Sequence, residues 1–184
     1  MELPIVTARL VLRRYTRDDI PDVLGLASQP SLAGVFAERI QATVEGVRKY
    51  IDVQNSYQPF EKGRVFELAI ERKEDRRVIG FVGMIRREHG QAEIGWGLGV
   101  EYRGQGYATE AARALMGYGF HSLGLHRIYA DTNTDNLASW KIMERLGMRR
   151  EGLLRSALYK EGQWLDQYVY GMLADEWRDV DASG

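Results

Sequence analysis

The period of apolar and polar positions changes along the chain, and each period predicts a type of element. Phe66, Leu68 and Ile70 alternate with Glu67 and Glu71, which is the pattern of a half-buried strand. Similar patterns bounded by turn residues predict further strands over residues 9–15, 78–85, 91–99, 127–133, 149–159 and 164–173. Because only short polar turns separate the three middle strands, we expect them to form an antiparallel meander.

Apolar residues at intervals of three and four predict the helices. Over residues 108–119 they form a stripe of helical period, and Gly124 ends this helix. Thr16 and Thr43 are suitable N-caps for two earlier helices, and Gly147 ends a last helix. The order β-α-α-β-β-β-α-β-α-β-β predicts a single α+β (mixed α/β) domain over the whole chain, with one parallel crossover.

The composition narrows the classes of function. Of the 184 residues, 45% are hydrophobic, enough for one compact domain. The net charge of −1 and the pI of 6.3 favour neither a nucleic-acid nor a membrane partner. The absence of cysteine excludes disulfides and a cysteine nucleophile, and His89, His121 and His126 lack the spacing of metal ligands, so we expect no metal. Without a recognisable signal peptide or spanning segment, we expect a cytoplasmic protein.

A strand rich in glycine precedes the most informative turn of the chain. Gly95, Gly97 and Gly99 share one face of this strand with Glu93. Glycine weakens a strand, so its repetition on one face indicates either the close approach of a ligand or close packing against a helix.

The turn after this strand predicts a binding site for a pyrophosphate group. It consists of Arg103, Gly104, Gln105, Gly106, Tyr107, Ala108 and Thr109. Its two glycines allow successive backbone N–H groups to point into one concavity. The helix that follows adds unpaired N–H groups and the positive end of its dipole, while Arg103 adds a charge and Thr109 a hydroxyl.

A dinucleotide-binding fold is an alternative interpretation of this turn. Asp131 follows about 25 residues later, near the place of a ribose-binding carboxylate. However, Thr109 replaces the third glycine, the preceding strands are predicted to be antiparallel, and no second βαβ half follows. A nicotinamide-dependent oxidoreductase therefore stays as the less favoured alternative.

In combination, these motifs resemble the GNAT family of N-acetyltransferases, and within it the RimJ/RimL-like subgroup, which acetylates ribosomal-protein N-termini and small amines. The resemblance covers nearly the whole chain and is carried by residues 7–13, 92–96, 102–111, 133–148 and 162–166. It implies a mixed, mostly antiparallel sheet of about seven strands, splayed at its centre, with helices on both faces. It also implies transfer of an acetyl group from acetyl-CoA to a primary amine by direct attack in a ternary complex.

The resemblance implies roles for particular residues. Backbone groups of Leu98 and Val100 would bind the pantetheine arm of CoA as an added strand would, and residues 103–109 would hold the pyrophosphate. Asn136 would contact the cofactor, and Ser139 corresponds to the residue proposed in the subgroup to protonate the leaving thiolate.

Two positions depart from the family pattern. Glu101 stands where the phosphate motif usually begins with Gln or Arg, which should tune binding rather than abolish it, since backbone N–H groups provide most of the contacts. Met143 stands where related enzymes often have a tyrosine as the acid. Methionine cannot donate a proton, so Ser139 is the better candidate.

Two carboxylates near the turn have open interpretations. Glu93 matches the family position used as a base in some members, although it could instead bind substrate or an arginine. An α-amine, with a pKa of about 7.7 to 8.0 against about 10.4 for lysine, needs only weak assistance from a base. Glu110 is interpreted as favourable to the helix dipole and as a packing partner.

The acceptor is the least defined part of the prediction. Aromatic residues of the early helices and last strands either line an acceptor pocket or belong to the core; they are Phe36, Tyr50, Tyr57, Tyr159, Trp164, Tyr168 and Tyr170. Asp166 or Glu93 could hold a cationic amine. We expect a peptide N-terminus or a small-molecule amine as the acceptor, and a homodimer stays open. A non-catalytic acyl-CoA-binding sensor is the second alternative, but Ser139 and Glu93 favour an enzyme.

Overall fold

Eight strands form one sheet in the part of the chain that the computed structural model describes, residues 3–32, 40–57, 61, 63–160 and 162–178. The strands are β1 (Ile5–Val6), β2 (Leu10–Arg13), β3 (Val65–Arg72), β4 (Val78–Arg86), β5 (Gln91–Leu98), β6 (Arg127–Asn133), β7 (Arg149–Lys160) and β8 (Gln163–Leu173). Their order across the sheet is β1-β2-β3-β4-β5-β6-β8-β7. The predicted mixed, mostly antiparallel sheet is confirmed, with the short β1 as one strand more than expected.

Helices cover both faces of this sheet. They are α1 (Ile20–Ala27), α2 (Val44–Ser56), α3 (Tyr107–Leu123) and α4 (Leu137–Arg145). The apolar faces of α1 and α2 pack on one side with Ala69 and Phe81. On the other side, α3 and α4 enclose the larger core with the opposite faces of the strands. The site described below lies where the strands between these two layers separate.

The predicted helix boundaries rest on side-chain caps and left-handed glycines. Thr43 Oγ1 accepts a hydrogen bond of 3.1 Å from the N–H of Gly46 at the start of α2. The carboxylate of Asp19 accepts one of 2.7 Å from the N–H of Thr16, which stabilises the single 3-10 turn before α1. Gly124 ends α3 with a φ of 61°, a conformation that favours glycine.

The prediction that β3 is half-buried is wrong. Both of its faces are covered, and Glu67 and Glu71 are buried with the apolar residues between them. Glu67 accepts hydrogen bonds from the hydroxyls of Tyr15, at 2.8 Å, and Tyr50. Glu71 accepts one of 2.5 Å from Arg13. The alternation was correct, but the layer of α1 and α2 buries the polar face, and these donors compensate the carboxylates for their lost hydration.

The sheet opens between its two central strands. The parallel pairing of β5 and β6 ends at the pair of Glu93 with Tyr129. Beyond it, β6 stays paired with β8 as far as Asn133, while β5 continues to Leu98 beside β4. The predicted splay at the centre of the sheet is confirmed.

Candidate active site

A cleft of about 430 Å³ lies beside the opening in the sheet. Its walls come from the end of β5, the turn after it, the first residues of α3 and one side of α4. The cleft brings together most of the residues that the sequence predicted for the cofactor; these are Leu98, Arg103, Gly104, Gly106, Tyr107, Ala108, Thr109 and Asn136. Ser139, the predicted acid, also lines it.

The turn before α3 has the backbone conformation that its glycines predict. Gly104 has a φ of 76° and Gly106 a φ of 83°, values that residues with a side chain rarely adopt. Gly106 is the N-cap of α3, so the first N–H groups of that helix, which have no partner within it, lie at the cleft. The arrangement provides several N–H donors and the positive end of a helix dipole at one wall.

The guanidinium of Arg103 does not point at this turn. Its Nε donates a hydrogen bond of 3.1 Å to the carbonyl of Leu98, and an Nη donates one of 2.8 Å to Ser31 Oγ. The side chain therefore lies back across the end of β5. One of the backbone groups predicted to bind pantetheine is thus already in use.

Two predicted cofactor residues lie outside the lining of the cleft. The N–H of Val100 donates a hydrogen bond of 2.9 Å to Gln29 Oε1, and the side chain of Val100 is exposed. Gln105 donates from its amide to the carbonyl of Glu101 at 3.0 Å. Its own carbonyl accepts a bond of 2.9 Å from Arg9, on the far side of the turn from the cleft.

Asn136 and Ser139 form the start of α4. Asn136 Oδ1 accepts a hydrogen bond of 3.2 Å from the N–H of Ser139. Because this cap uses the backbone of Ser139, the hydroxyl of Ser139 takes no part in it. Met143, at the position where relatives often have a tyrosine, is buried in the core and is not among the residues that line the cleft.

Glu93 lies on the other face of the sheet, at the point where β5 and β6 separate. It forms an ion pair of 2.5 Å with Arg87 and accepts a hydrogen bond of 3.3 Å from the hydroxyl of Tyr129. Burial and the charge of Glu93 raise the pKa of Tyr129. Glu93 does not line the cleft. Its carboxylate instead binds Arg87, which agrees with the interpretation of Glu93 as the partner of an arginine.

The glycines on this face of β5 serve two different purposes. A Cβ added to Gly97 would come within 2.5 Å of the ring of Phe81 and 3.2 Å of Leu32. This glycine is needed for close packing. A Cβ at Gly95 would meet nothing within 4 Å, so the strand is open there, next to the splay.

Glu110 ties the N-terminal segment to the first turn of α3. Its carboxylate accepts hydrogen bonds from Thr7 Oγ1 at 2.6 Å, from the N–H of Arg9 at 2.9 Å and from Arg9 Nε at 2.7 Å. Burial alone would raise the pKa of Glu110, but these donors outweigh it and hold the pKa below its ordinary value. The interpretation of Glu110 as a packing partner agrees with these contacts.

The predicted aromatic residues separate into core and surface. Tyr50 and Tyr170 are buried in the core, whereas Tyr159 and Trp164 are exposed and lie with ring centroids 5.1 Å apart. Tyr57 and Tyr168 are partly buried. Asp166 accepts a hydrogen bond of 2.8 Å from the N–H of Ser156 in the last hairpin. Phe36 lies outside the described residues.

The dinucleotide alternative requires a parallel sheet with two βαβ halves. Among the described strands, only β5 and β6 pair in parallel. Asp131, the predicted ribose ligand, instead accepts a bond of 3.1 Å from Gln167. Burial and the charge of Glu93 raise the pKa of Asp131.

The part of the chain that the structure describes lacks both a cluster of metal-binding side chains and a membrane-spanning helix. It contains no group of three or more histidine, aspartate or glutamate side chains that could hold a metal ion. It also contains no helix that is long and apolar enough to cross a membrane.

Some residues of the cleft were not anticipated from the sequence. Ser31, Leu32, Lys141 and Arg145 all contribute to its lining. Lys141 and Arg145 are four residues apart and share one side of α4, but neither lies three or four residues from the predicted Asn136 or Ser139, so the helical period did not indicate them. Ser31 also carries no signal, because its position depends on the fold.

Comparisons with known proteins agree with this architecture. The family described as acetyltransferase (GNAT) domain matches residues 9–149. The chain is 34% identical over 175 residues to the uncharacterized N-acetyltransferase YnaD of Bacillus subtilis, covering 94% of this chain and 98% of YnaD. It is 26% identical over 119 residues to the ribosomal protein uS5 alanine N-acetyltransferase of Escherichia coli, covering 63% of this chain and 61% of that enzyme.

The fold also matches that of a solved structure. The crystal structure of a GNAT-family acetyltransferase from Bacillus anthracis matches with a TM-score of 0.82 and 27% identity, covering 95% of this chain and 100% of that chain. The family match spans most of the chain, and the match to YnaD spans nearly all of it. This chain therefore belongs to the GNAT acetyltransferase family and is an N-acetyltransferase.

Proposed function

We propose that the enzyme transfers an acetyl group from acetyl-CoA to a primary amine by direct attack in a ternary complex. The observation that carries the proposal is the single cleft that the turn after β5, the start of α3 and Ser139 line together. Its volume of about 430 Å³ is within the range usual for cofactor sites.

The charge of the cleft suits an anionic donor. Arg103, Lys141 and Arg145 line it, and the described lining contains no carboxylate. The N–H groups of residues 104–109 and the dipole of α3 favour a pyrophosphate at the turn. The cations on α4 face the same space and suit a further phosphate of the donor. Together, these N–H groups and cationic side chains suit the phosphates of CoA.

Binding of the pantetheine arm along β5 requires an exchange of partners. We propose that the arm replaces Arg103 as the hydrogen-bond partner of the Leu98 carbonyl, and replaces Gln29 as the partner of the Val100 N–H. Both present partners are flexible side chains, so the exchange needs no change in the strand. Arg103 would then be released to contact the pyrophosphate.

Acetyl-CoA supplies the acetyl group as a thioester, and the residues of the chain orient it and move protons. Ser139 lies on the wall of the cleft with its hydroxyl outside the helix cap, where it would donate a proton to the leaving sulfur. Glu93, on the opposite face at the start of the splay, would accept the proton of the amine directly or through a water molecule. Donor and acceptor would thus approach from opposite faces.

The contacts of Glu93 favour an acceptor that needs little help from a base. Its carboxylate is shared between Arg87 and Tyr129. An α-amine, with a pKa of about 7.7 to 8.0, has roughly a tenth of its molecules in the neutral, reactive form near neutral pH, whereas lysine at about 10.4 is almost entirely protonated. We therefore propose a peptide N-terminus, or a small amine of similarly low pKa, as the acceptor. The named activity of the Escherichia coli relative on an alanine of a ribosomal protein supports this class.

Thermal unfolding with ligands tests the donor. Acetyl-CoA should raise the melting temperature, with a stabilisation of about 2.7 kcal/mol at a concentration one hundred times Kd. NADH at the same concentration should leave the melting temperature unchanged. Stabilisation by NADH alone would overturn the proposal in favour of a dinucleotide site.

A further inference from the structure

The N-terminal segment carries a charged residue, Arg9, that the proposed mechanism does not use. Arg9, just before β2, reaches the turn after β5 although the two are almost a hundred residues apart in the chain. Its Nη1 donates a hydrogen bond of 2.9 Å to the carbonyl of Gln105. Its Nε donates one of 2.7 Å to Glu110, and its guanidinium lies 4.5 Å from the ring centroid of Tyr107. One planar group thus joins the turn to the first turn of α3.

The bond to Gln105 determines the direction of the next peptide group. Among the described residues, the only cis peptide bond is the one before Pro4, so the bond from Gln105 to Gly106 is trans. In a trans peptide, the N–H points opposite to the C=O. Because the carbonyl of Gln105 points at Arg9, the N–H of Gly106 points away from Arg9. Gly106 lines the cleft and Arg9 does not, so this N–H is aimed to the side of the cleft.

The turn needs such a restraint because its own residues are permissive. Gly104 and Gly106 both have positive φ values, and glycine can leave that conformation at little cost. A Cβ added to Gly106 would lie 3.4 Å from Arg9 Nη2, so the guanidinium packs against the back of the turn. A planar fork that also bonds to Glu110 resists rotation better than a single bond would.

We propose that Arg9 is a positioning residue for the donor site, which holds the N–H of Gly106 in the direction that binds pyrophosphate. This inference rests on the proposed function, since it assumes that the turn binds the phosphates of CoA. Arg9 acts from behind the turn and touches neither substrate. It gives the opening segment of the chain a role in the affinity for the donor.

Calorimetric titration of acetyl-CoA into the wild type, Arg9→Met, Arg9→Lys and Thr7→Val tests the inference. Thr7→Val is the matched control because it removes another hydrogen bond to Glu110, of 2.6 Å, without a contact to the turn. Arg9→Met should raise the Kd about tenfold or more, the usual effect of a lost charge-assisted bond. Arg9→Lys keeps the charge but loses the fork, so its Kd should also rise. Thr7→Val should lower the melting temperature and leave the Kd unchanged.

Each other outcome overturns a stated part of the account. An unchanged Kd in Arg9→Met, or full affinity in Arg9→Lys, would show that the fork does not position the turn. An equal rise of the Kd in Thr7→Val would mean that any loosening of the N-terminal segment weakens binding, and that Arg9 has no specific effect on the turn. If the wild type itself does not bind acetyl-CoA, the proposed function fails and this inference fails with it, whereas in the other cases only the inference fails.

Discussion

Arg103 donates a hydrogen bond of 3.1 Å to the backbone carbonyl of Leu98, across the end of β5 where the pantetheine arm is proposed to bind. Its second contact is with Ser31, at 2.8 Å. The residue proposed to hold pyrophosphate therefore occupies part of the donor site until it moves. Removing the Ser31 hydroxyl and removing the Arg103 side chain should therefore change the Kd for acetyl-CoA in opposite directions.

Ser31→Ala should strengthen donor binding, and Arg103→Ala should weaken it. The alanine at position 31 removes one bond that holds Arg103 in the folded-back position, worth about 0.5–1.5 kcal/mol, so the Kd for acetyl-CoA should fall by up to about tenfold. Arg103→Ala also frees Leu98, but it removes the charge and should raise the Kd. Titration calorimetry measures both values. A rise in both variants would contradict the proposed exchange of partners.

Gly106→Val should cost most of the donor affinity. A β-branched residue opposes a φ of 83° and would press on Arg9 behind the turn. Both effects disturb the direction of the N–H groups, so we expect the Kd for acetyl-CoA to rise at least about tenfold. Gly162→Val is the matched control, since Gly162 has the same φ of 83° in the turn between β7 and β8. The control should lose stability alone. Equal Kd values for the two variants would remove the turn from the donor site.

Ser139→Ala should lower kcat by about 10²-fold or more, the lower range for general acid catalysis. Its melting temperature should hardly change, because the cap of α4 uses the N–H of Ser139 and the side chain of Asn136. Asn136→Ala should instead lose about 1 kcal/mol of stability with the cap. Full activity in Ser139→Ala, measured with the same donor and acceptor, would exclude the hydroxyl as the acid.

The contacts of Glu110 predict a specific loss of stability in acid. Thr7 and Arg9 hold its pKa below the ordinary value of 4.5, so the unfolded state binds the proton more tightly than the folded state. The stabilisation is therefore present above about pH 4.5 and is lost as the pH falls through the lowered pKa. Urea unfolding below and above this range should show a smaller pH dependence for Glu110→Gln than for the wild type. Equal dependence in both proteins would contradict the assignment.

Local chemistry made much of the fold predictable from the sequence. The cap at Thr43, the left-handed Gly124 and the stripe on α3 depend on residues only a few positions apart, and the structure has them where the sequence placed them. The glycine turn at residues 103–109 was predictable for the same reason.

Contacts between distant segments were not predictable from these patterns. The burial of Glu67 depends on Tyr15 and Tyr50 from other elements. The position of the Arg103 guanidinium depends on Ser31, more than seventy residues earlier in the chain. Glu93 was interpreted either as a base or as a residue that binds substrate or an arginine, and its ion pair with Arg87 depends on how the turn between β4 and β5 folds.

The most direct measurement of the central claim is product formation with acetyl-CoA and a panel of peptides and small amines, followed by thiol release and mass spectrometry. We predict release of CoA that depends on the acceptor, an acetyl group on the amine of the acceptor, and no acetylated enzyme when the acceptor is omitted. Peptides with a free N-terminus should react, and the same peptides with a blocked N-terminus and a free lysine should react more slowly. Tight binding of acetyl-CoA with no acetylated product from any acceptor would contradict the account and indicate an acyl-CoA sensor.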